Sequence, residues 1–122
     1  MARAAGSADG PRDLSTPIGR SGLPGVTPLR RHGRRMGIET FISEPPPESL
    51  DVIEWFCDEY DIKLAIHNHG KEQSPHYWHP DEILEVCQGR SHRIGACPDI
   101  GYWVRSGIDP LEGVRTLAGR LI

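Results

Sequence analysis

The stretch IKLAIHNHG, residues 62–70, is a short apolar run that passes at once into two histidines flanking an asparagine. Four of its first five residues are apolar, as expected of a strand covered on both faces by helices. A chain that leaves a buried strand and immediately presents imidazoles is delivering chemistry to the strand's C-terminal end.

The neighbouring segments repeat the pattern. Residues 37–43 (GIETFIS) alternate and carry β-branched residues, which predicts a strand. Pro45-Pro46-Pro47 blocks its continuation and opens a helix. In residues 48–60, Leu50, Ile53, Phe56, Cys57 and Tyr60 recur at three and four residues, predicting an amphipathic helix. Residues 67–79 read as a polar loop. Pro80 starts a helix through Ile83, Leu84 and Cys87, with Gly89 as its cap. Residues 93–97 form a third strand. Asp109, Pro110 and Glu112 then give the N-cap, first-turn proline and capping-box-like carboxylate of a third helix ending at Gly119. Leu121-Ile122 starts a fourth strand. Three strand–helix units in succession predict an α/β fold with a parallel sheet and right-handed crossovers.

In such folds function sits at the C-terminal ends of the strands. The first strand ends in Ser43-Glu44 and the second in His67-Asn68-His69. The third ends in Asp99, with Tyr102 and Trp103 beyond. One rim therefore gathers two carboxylates and two imidazoles, and the opposite rim has nothing comparable. Such donors suit a divalent metal, Zn, Mn, Mg or Fe. In an extended segment His67 and His69 point to the same side. His67 and His69 are candidate ligands or substrate contacts, and His67, His69 and Glu44 are candidates for proton transfer. The simpler role of Glu44 is to cap the next helix, and that of Asp99 is to cap a turn through Gly101. Trp78, Tyr102 and Trp103, with Tyr77, form either a sugar-stacking wall or a lid on the core; His76 and His79 are expected to pack over the mouth.

Composition narrows the classes. Residues 1–35 carry seven Arg and two Asp, whereas 36–122 carry seven Lys or Arg and fifteen Asp or Glu. All eight aromatic residues lie in the second part, so the first is expected to be a disordered Arg/Gly/Pro-rich extension and 36–122 the folded domain. The basic run LRRHGRR, 29–35, has no aromatic residues interleaved, which weakens a nucleic-acid reading. The acidic folded part gives no reason to expect nucleic acid. Three cysteines without CxxC spacing fit a reducing, cytoplasmic setting. No apolar run approaches the roughly 20 residues of a membrane span. The contiguous letters HNH do not make an HNH nuclease, whose namesake residues are dispersed over a ββα-metal unit.

The stretches GIETFISEPPPESLDVIEWFCDEYDIKLAIHNHG (37–70) and YWHPDEILEVCQGRSHRIGACPDIGYWVRSGIDPLEGVRTLAGRLI (77–122) resemble the sugar phosphate isomerase/epimerase family of the xylose isomerase-like TIM-barrel superfamily. The resemblance implies a partial (β/α)8 barrel spanning strands four to six. It further implies a divalent metal at the barrel mouth and proton transfer next to the carbonyl of a sugar or sugar phosphate. In that family the metal is held by a Glu after the fifth strand, an Asp after the sixth, a His after the seventh and a Glu after the eighth. Asp99 matches the sixth-strand Asp. His67 stands at the fifth-strand Glu position. Asn68, where some members carry Asn, is assigned to substrate with Trp78, Tyr102 and Trp103. The family's His after D-x-G is here Tyr102, and a phenol does not replace an imidazole as ligand or proton carrier.

A complete barrel takes about 250 residues. The 122 residues here reach only to where a seventh strand would begin. The expectation is an incomplete or inactive isomerase/epimerase, or else a non-catalytic half-barrel that associates with itself or a partner. The bias of residues 1–35 is also that of translated off-frame DNA. No membrane association is expected.

Overall fold

The computed structural model describes residues 35–122. The reading of 1–35 as a disordered basic extension, an off-frame product or a nucleic-acid patch lies, apart from Arg35, outside the described residues. Three strands form one parallel sheet in the order β1 (Thr40–Ser43), β2 (Lys63–Ile66), β3 (Ile94–Ala96). The register pairs Phe41 with Leu64 and Ser43 with Ile66, then Leu64 with Ile94 and Ile66 with Ala96. All three strands thus end at one level, which brings their C-terminal residues together. Each strand is shorter than its sequence signal, because pairing reaches only as far as the neighbour's backbone.

Between β1 and β2 runs α1 (Leu50–Tyr60), entered through a 3-10 turn at Pro47–Ser49. It buries Leu50 and Cys57 and leaves Val52 and Trp55 exposed. After β2 a loop leads to α2 (Pro80–Cys87), with Pro80 in its first turn and the His79 ring accepting the Asp81 N–H at 3.2 Å. His79 is thus an N-cap. β3 is followed by two helices, α3 (Ile100–Arg105) and α4 (Pro110–Thr116). Asp109 caps α4 through the Leu111 N–H at 2.8 Å, as its spacing predicts. Helix α3 was not expected. It is only six residues long, and Ile100, Gly101, Tyr102 and Val104 carry no helical propensity worth reading. Its capping residue, Asp99, and the burial of Trp103 between α3 and α4 make it fold.

Leu121 makes a parallel bridge to Ala96, the first step of a fourth strand position. The Ala96 N–H donates to Arg120 O at 2.7 Å, and the Ile122 N–H to Ala96 O at 3.0 Å. Gly95 permits this approach: a Cβ there would lie 2.3 Å from Arg120 O. A parallel sheet extended in sequence order, with helices between the strands, is the architecture of part of a (β/α)8 barrel.

The N-terminal rim is a polar clasp. Arg90 bonds Asp51 at 2.7 Å and Glu54 at 2.9 Å, joining α1 to the turn before β3. The Ser91 N–H donates to Glu54, and Arg93 pairs with Asp61 at 2.5 Å. Arg120 donates to the carbonyls of Arg90, Ser91 and Ile94. These groups hold elements together and leave the opposite rim to carry chemistry.

Candidate active site

At the C-terminal rim, Glu44 follows β1 directly, and His67, Asn68 and His69 follow β2. The Glu44 and His69 side chains meet, with Glu44 Oε2 2.5 Å from His69 Nδ1. A carboxylate only accepts, so the proton of the neutral ring is assigned to Nδ1, and Nε2 keeps its lone pair. The other Glu44 oxygen accepts from the Ser74 hydroxyl, which in turn accepts the His76 N–H at 3.2 Å. Glu44 is therefore held at both oxygens and orients an imidazole, the arrangement of a general acid–base pair. It does not cap α1, whose N-cap, Ser49, makes no side-chain bond to the helix.

The sequence-assigned residues divide into two groups. His67 and His69 stand on the same side with ring centroids 4.9 Å apart, and the Tyr102 ring is 5.4 Å from His69. Glu44, His67, His69 and Tyr102 are thus one cluster. Asn68 is fully buried, and its amide bonds the backbone of Asp99 twice: the Asp99 N–H donates to Oδ1 at 2.7 Å, and Nδ2 donates to Asp99 O at 3.2 Å. Asp99 Oδ1 accepts the Gly101 N–H at 2.9 Å and caps α3. Trp103 is wholly buried in the core. Trp78 contacts Lys71 and the His79 ring.

Sequence reasoning missed Ser74 and Tyr77 as supports of this cluster. Tyr77 is buried in a left-handed conformation, φ 64°, and its hydroxyl donates to Pro45 O at 2.7 Å, next to Glu44. A tyrosine among prolines and histidines gives no local signal that it will turn inward. Burial, reinforced by the negative charge of Glu44, pushes its phenol up to about 12. The folded chain therefore keeps a proton that the unfolded chain loses near pH 10. Stability from this site is complete below that pH and is lost as pH rises toward about 12. Urea midpoints measured from pH 8 upward are expected to fall across this window in the wild type and to fall less steeply in Tyr77→Phe. Equal slopes would remove Tyr77 as the cause.

A divalent cation is what the family resemblance implies. Among the described residues no group of three His, Cys, Asp or Glu is placed to hold a metal ion. His69 Nδ1 and Asp99 Oδ1 are already engaged within the protein. Asp99 keeps its second carboxylate oxygen and His67 stands beside His69, so the described residues supply part of the donor set that the resemblance implies.

The fold defines this chain as a portion of a TIM-type α/β barrel with an imidazole–carboxylate pair at its mouth. Among solved structures it is similar to an uncharacterized protein from Parabacteroides distasonis, with 33% identity and a TM-score of 0.60, covering 76% of this chain and 36% of that one. It is also similar to a D-tagatose 3-epimerase-like protein, with 19% identity and a TM-score of 0.64, covering 76% of this chain and 41% of that one. The chain thus spans between a third and a half of the length of these structures. No family model matches, and no curated protein matches. Among the described residues no helix is long and apolar enough to cross a membrane.

Proposed function

We propose that this chain carries part of the catalytic mouth of a sugar isomerase or epimerase of the xylose isomerase-like superfamily, moving a proton at the carbon next to a sugar carbonyl. The observation that carries the reading is the Glu44–His69 pair, 2.5 Å apart at the C-terminal ends of adjacent parallel strands. The fold of the D-tagatose 3-epimerase-like protein supports the substrate class. In this reading His69 Nε2 takes the proton. Glu44 fixes the ring's tautomer and orientation and gives the imidazolium a counter-charge. Ser74 holds the carboxylate in place. Tyr102 and His67 flank the ring and shape the space above it. A reducing, cytoplasmic setting goes with this reading: Cys57, Cys87 and Cys97 form no disulfide among the described residues.

Exchange of a ketose's C–H hydrogens in deuterated water, followed by proton NMR, isolates this step without requiring a full turnover to product. With D-tagatose as the probe, the wild-type chain is expected to catalyse exchange. His69→Ala is expected to lower the rate by about 10²–10⁴-fold, the usual worth of a positioned acid–base group. Glu44→Gln is expected to lower it less, because the amide still places the ring. Wild-type exchange no faster than that of His69→Ala would sink the reading.

A further inference from the structure

Among the described residues both edges of the sheet are unpaired, and the two edges are complementary. On the β1 side, the Lys63 N–H donates to Glu39 O at 2.8 Å and the His67 N–H to Ser43 O at 3.1 Å. Alternate residues of a strand turn their backbone groups to opposite sides, so Thr40 and Ile42 present N–H and C=O away from β2. No described strand pairs with them. At the far edge Arg120 and Ile122 bond Ala96, so Leu121 between them turns its own N–H and C=O outward. One edge is open to a parallel strand before it in the sheet, the other to a parallel strand after it.

The side chains match in the same way. The register places Phe41 and Leu121 on the face where Leu64, Ile66, Ile94 and Ala96 pack against the helices. At the β1 edge of that face a groove of about 310 Å³ runs between β1 and α1, with Phe41, Ile53, Phe56 and Tyr60 among its lining. At the opposite edge Leu121, 42% exposed, is an apolar knob. The other face of the sheet carries Ile42, Ala65 and Gly95. There Ile42 is 62% exposed at one edge, and Ile122, 38% exposed, reaches over Gly95 at the other. Helix α1 is sided accordingly. Its carboxylates Asp51, Glu54 and Asp58 bond Arg90, Ser91 and Arg93 on the flank toward β3, while Phe56 and Tyr60 lie on the flank toward the unpaired edge.

We infer that a second copy of this chain covers both edges, each copy docking its Leu121–Ile122 edge on the partner's β1 to close an eight-stranded parallel barrel. Three paired strands and the Leu121 step make four strand positions, half of the eight in a closed barrel. A partner of another sequence would need both edge types in the same polarity, and this chain already carries both. Two identical junctions about a two-fold axis along the barrel leave no edge, whereas the same head-to-tail contact on an open sheet runs on as a filament. Leu121 enters the groove against Phe41, and Ile122 meets Ile42 inside the barrel. Because all strands run in parallel, the Glu44–His69 pairs of both copies lie at one mouth. The inference is independent of the proton-transfer reading.

The test is analytical ultracentrifugation of the full chain, with circular dichroism to confirm that each variant is folded. The wild type is expected to sediment at twice its chain mass of 13.6 kDa. Ile42→Lys and Ile122→Glu each put a charge into both junctions at an exposed position, and each alone is expected to weaken the dimer about tenfold or more. Mixed, they give one junction with Lys against Glu and one of wild-type residues, so association is expected to return as a one-to-one heterodimer. Thr40→Pro, which removes an outward N–H and no bond to β2, is a second route to the same loss. A wild type that stays monomeric up to about 1 mM would overturn the inference and mean that the groove is covered from within the chain. Weakening by Ile42→Lys but not by Ile122→Glu would overturn it in favour of β1 pairing with β1 of the partner. No recovery on mixing, or a mass that grows past the dimer with concentration, would overturn the closed barrel.

Discussion

Trp103→Ala is expected to lower stability by about 3–5 kcal/mol, the usual cost of truncating a fully buried aromatic residue. Trp103 is 0% exposed and is among the largest side chains of the core. Its ring fills the space between α3 and α4, where Gly113 admits it: a Cβ on Gly113 would lie 2.6 Å from Trp103 Cζ3. Helix α3 has six residues and little propensity of its own, so the loss of its buried anchor removes the reason it folds. For a domain whose whole stability is of the order of 5–15 kcal/mol, such a change is close to decisive. Trp103→Phe is expected to cost less, because Trp103 Nε1 is buried without a hydrogen-bond partner among the described residues and its removal loses no bond there. Gly113→Ala is expected to be destabilising by the reverse route, overpacking, at about 1–3 kcal/mol. Urea unfolding followed by circular dichroism measures all three. A Trp103→Ala variant as stable as the wild type would show that α3 is held by something other than this ring.

Asn68→Ala is expected to cost about 2–4 kcal/mol, since it strips partners from two backbone groups of Asp99 at once. Both lie at the rim, where the end of β2 must be held to the end of β3. Without that link His69 and Tyr102 lose their fixed spacing. A second variant separates bonding from volume. Asn68→Asp keeps the acceptor for the Asp99 N–H but loses the donor to Asp99 O, and it buries a carboxylate. Only the protonated acid restores the donor. The folded state of this variant therefore binds a proton more tightly than the unfolded state, and its stability is expected to be greatest in acid and to fall as pH rises. The wild type has no such group at this position. Parallel pH profiles of the urea midpoint check this. Superimposable profiles would show that Asn68 is not the clasp described here.

Local order was the part most readable in the residues themselves. Periodicity of three and four in α1, proline at the start of α2 and α4, and the apolar run of β2 each reflect interactions within about four residues of one another. Sequence neighbours decide such features. The parallel arrangement followed too, because strand–helix–strand connections allow little else. Which rim carries His67, His69 and Glu44 was a consequence of that arrangement.

Pairing across the fold was decided elsewhere. Nothing in the sequence says that Glu44 accepts from His69 and Ser74 instead of capping α1, or that Tyr77 closes on Pro45 from 32 residues away. From the sequence, Asp99 reads as a metal ligand or a turn cap and Asn68 as a substrate contact, both at strand ends. The sheet register turns Asn68 inward as a clasp and leaves Asp99 as the cap of a helix too short to show in its own residues. The same holds for Tyr102 and Trp103, adjacent in sequence: one lies beside His69 and the other is sealed against Gly113. Residue type and spacing determined which chemistry was present and at which end of the sheet. Burial and the directions of side chains from different strands decided which of those groups meet, because these are set by contacts between segments that the chain places far apart.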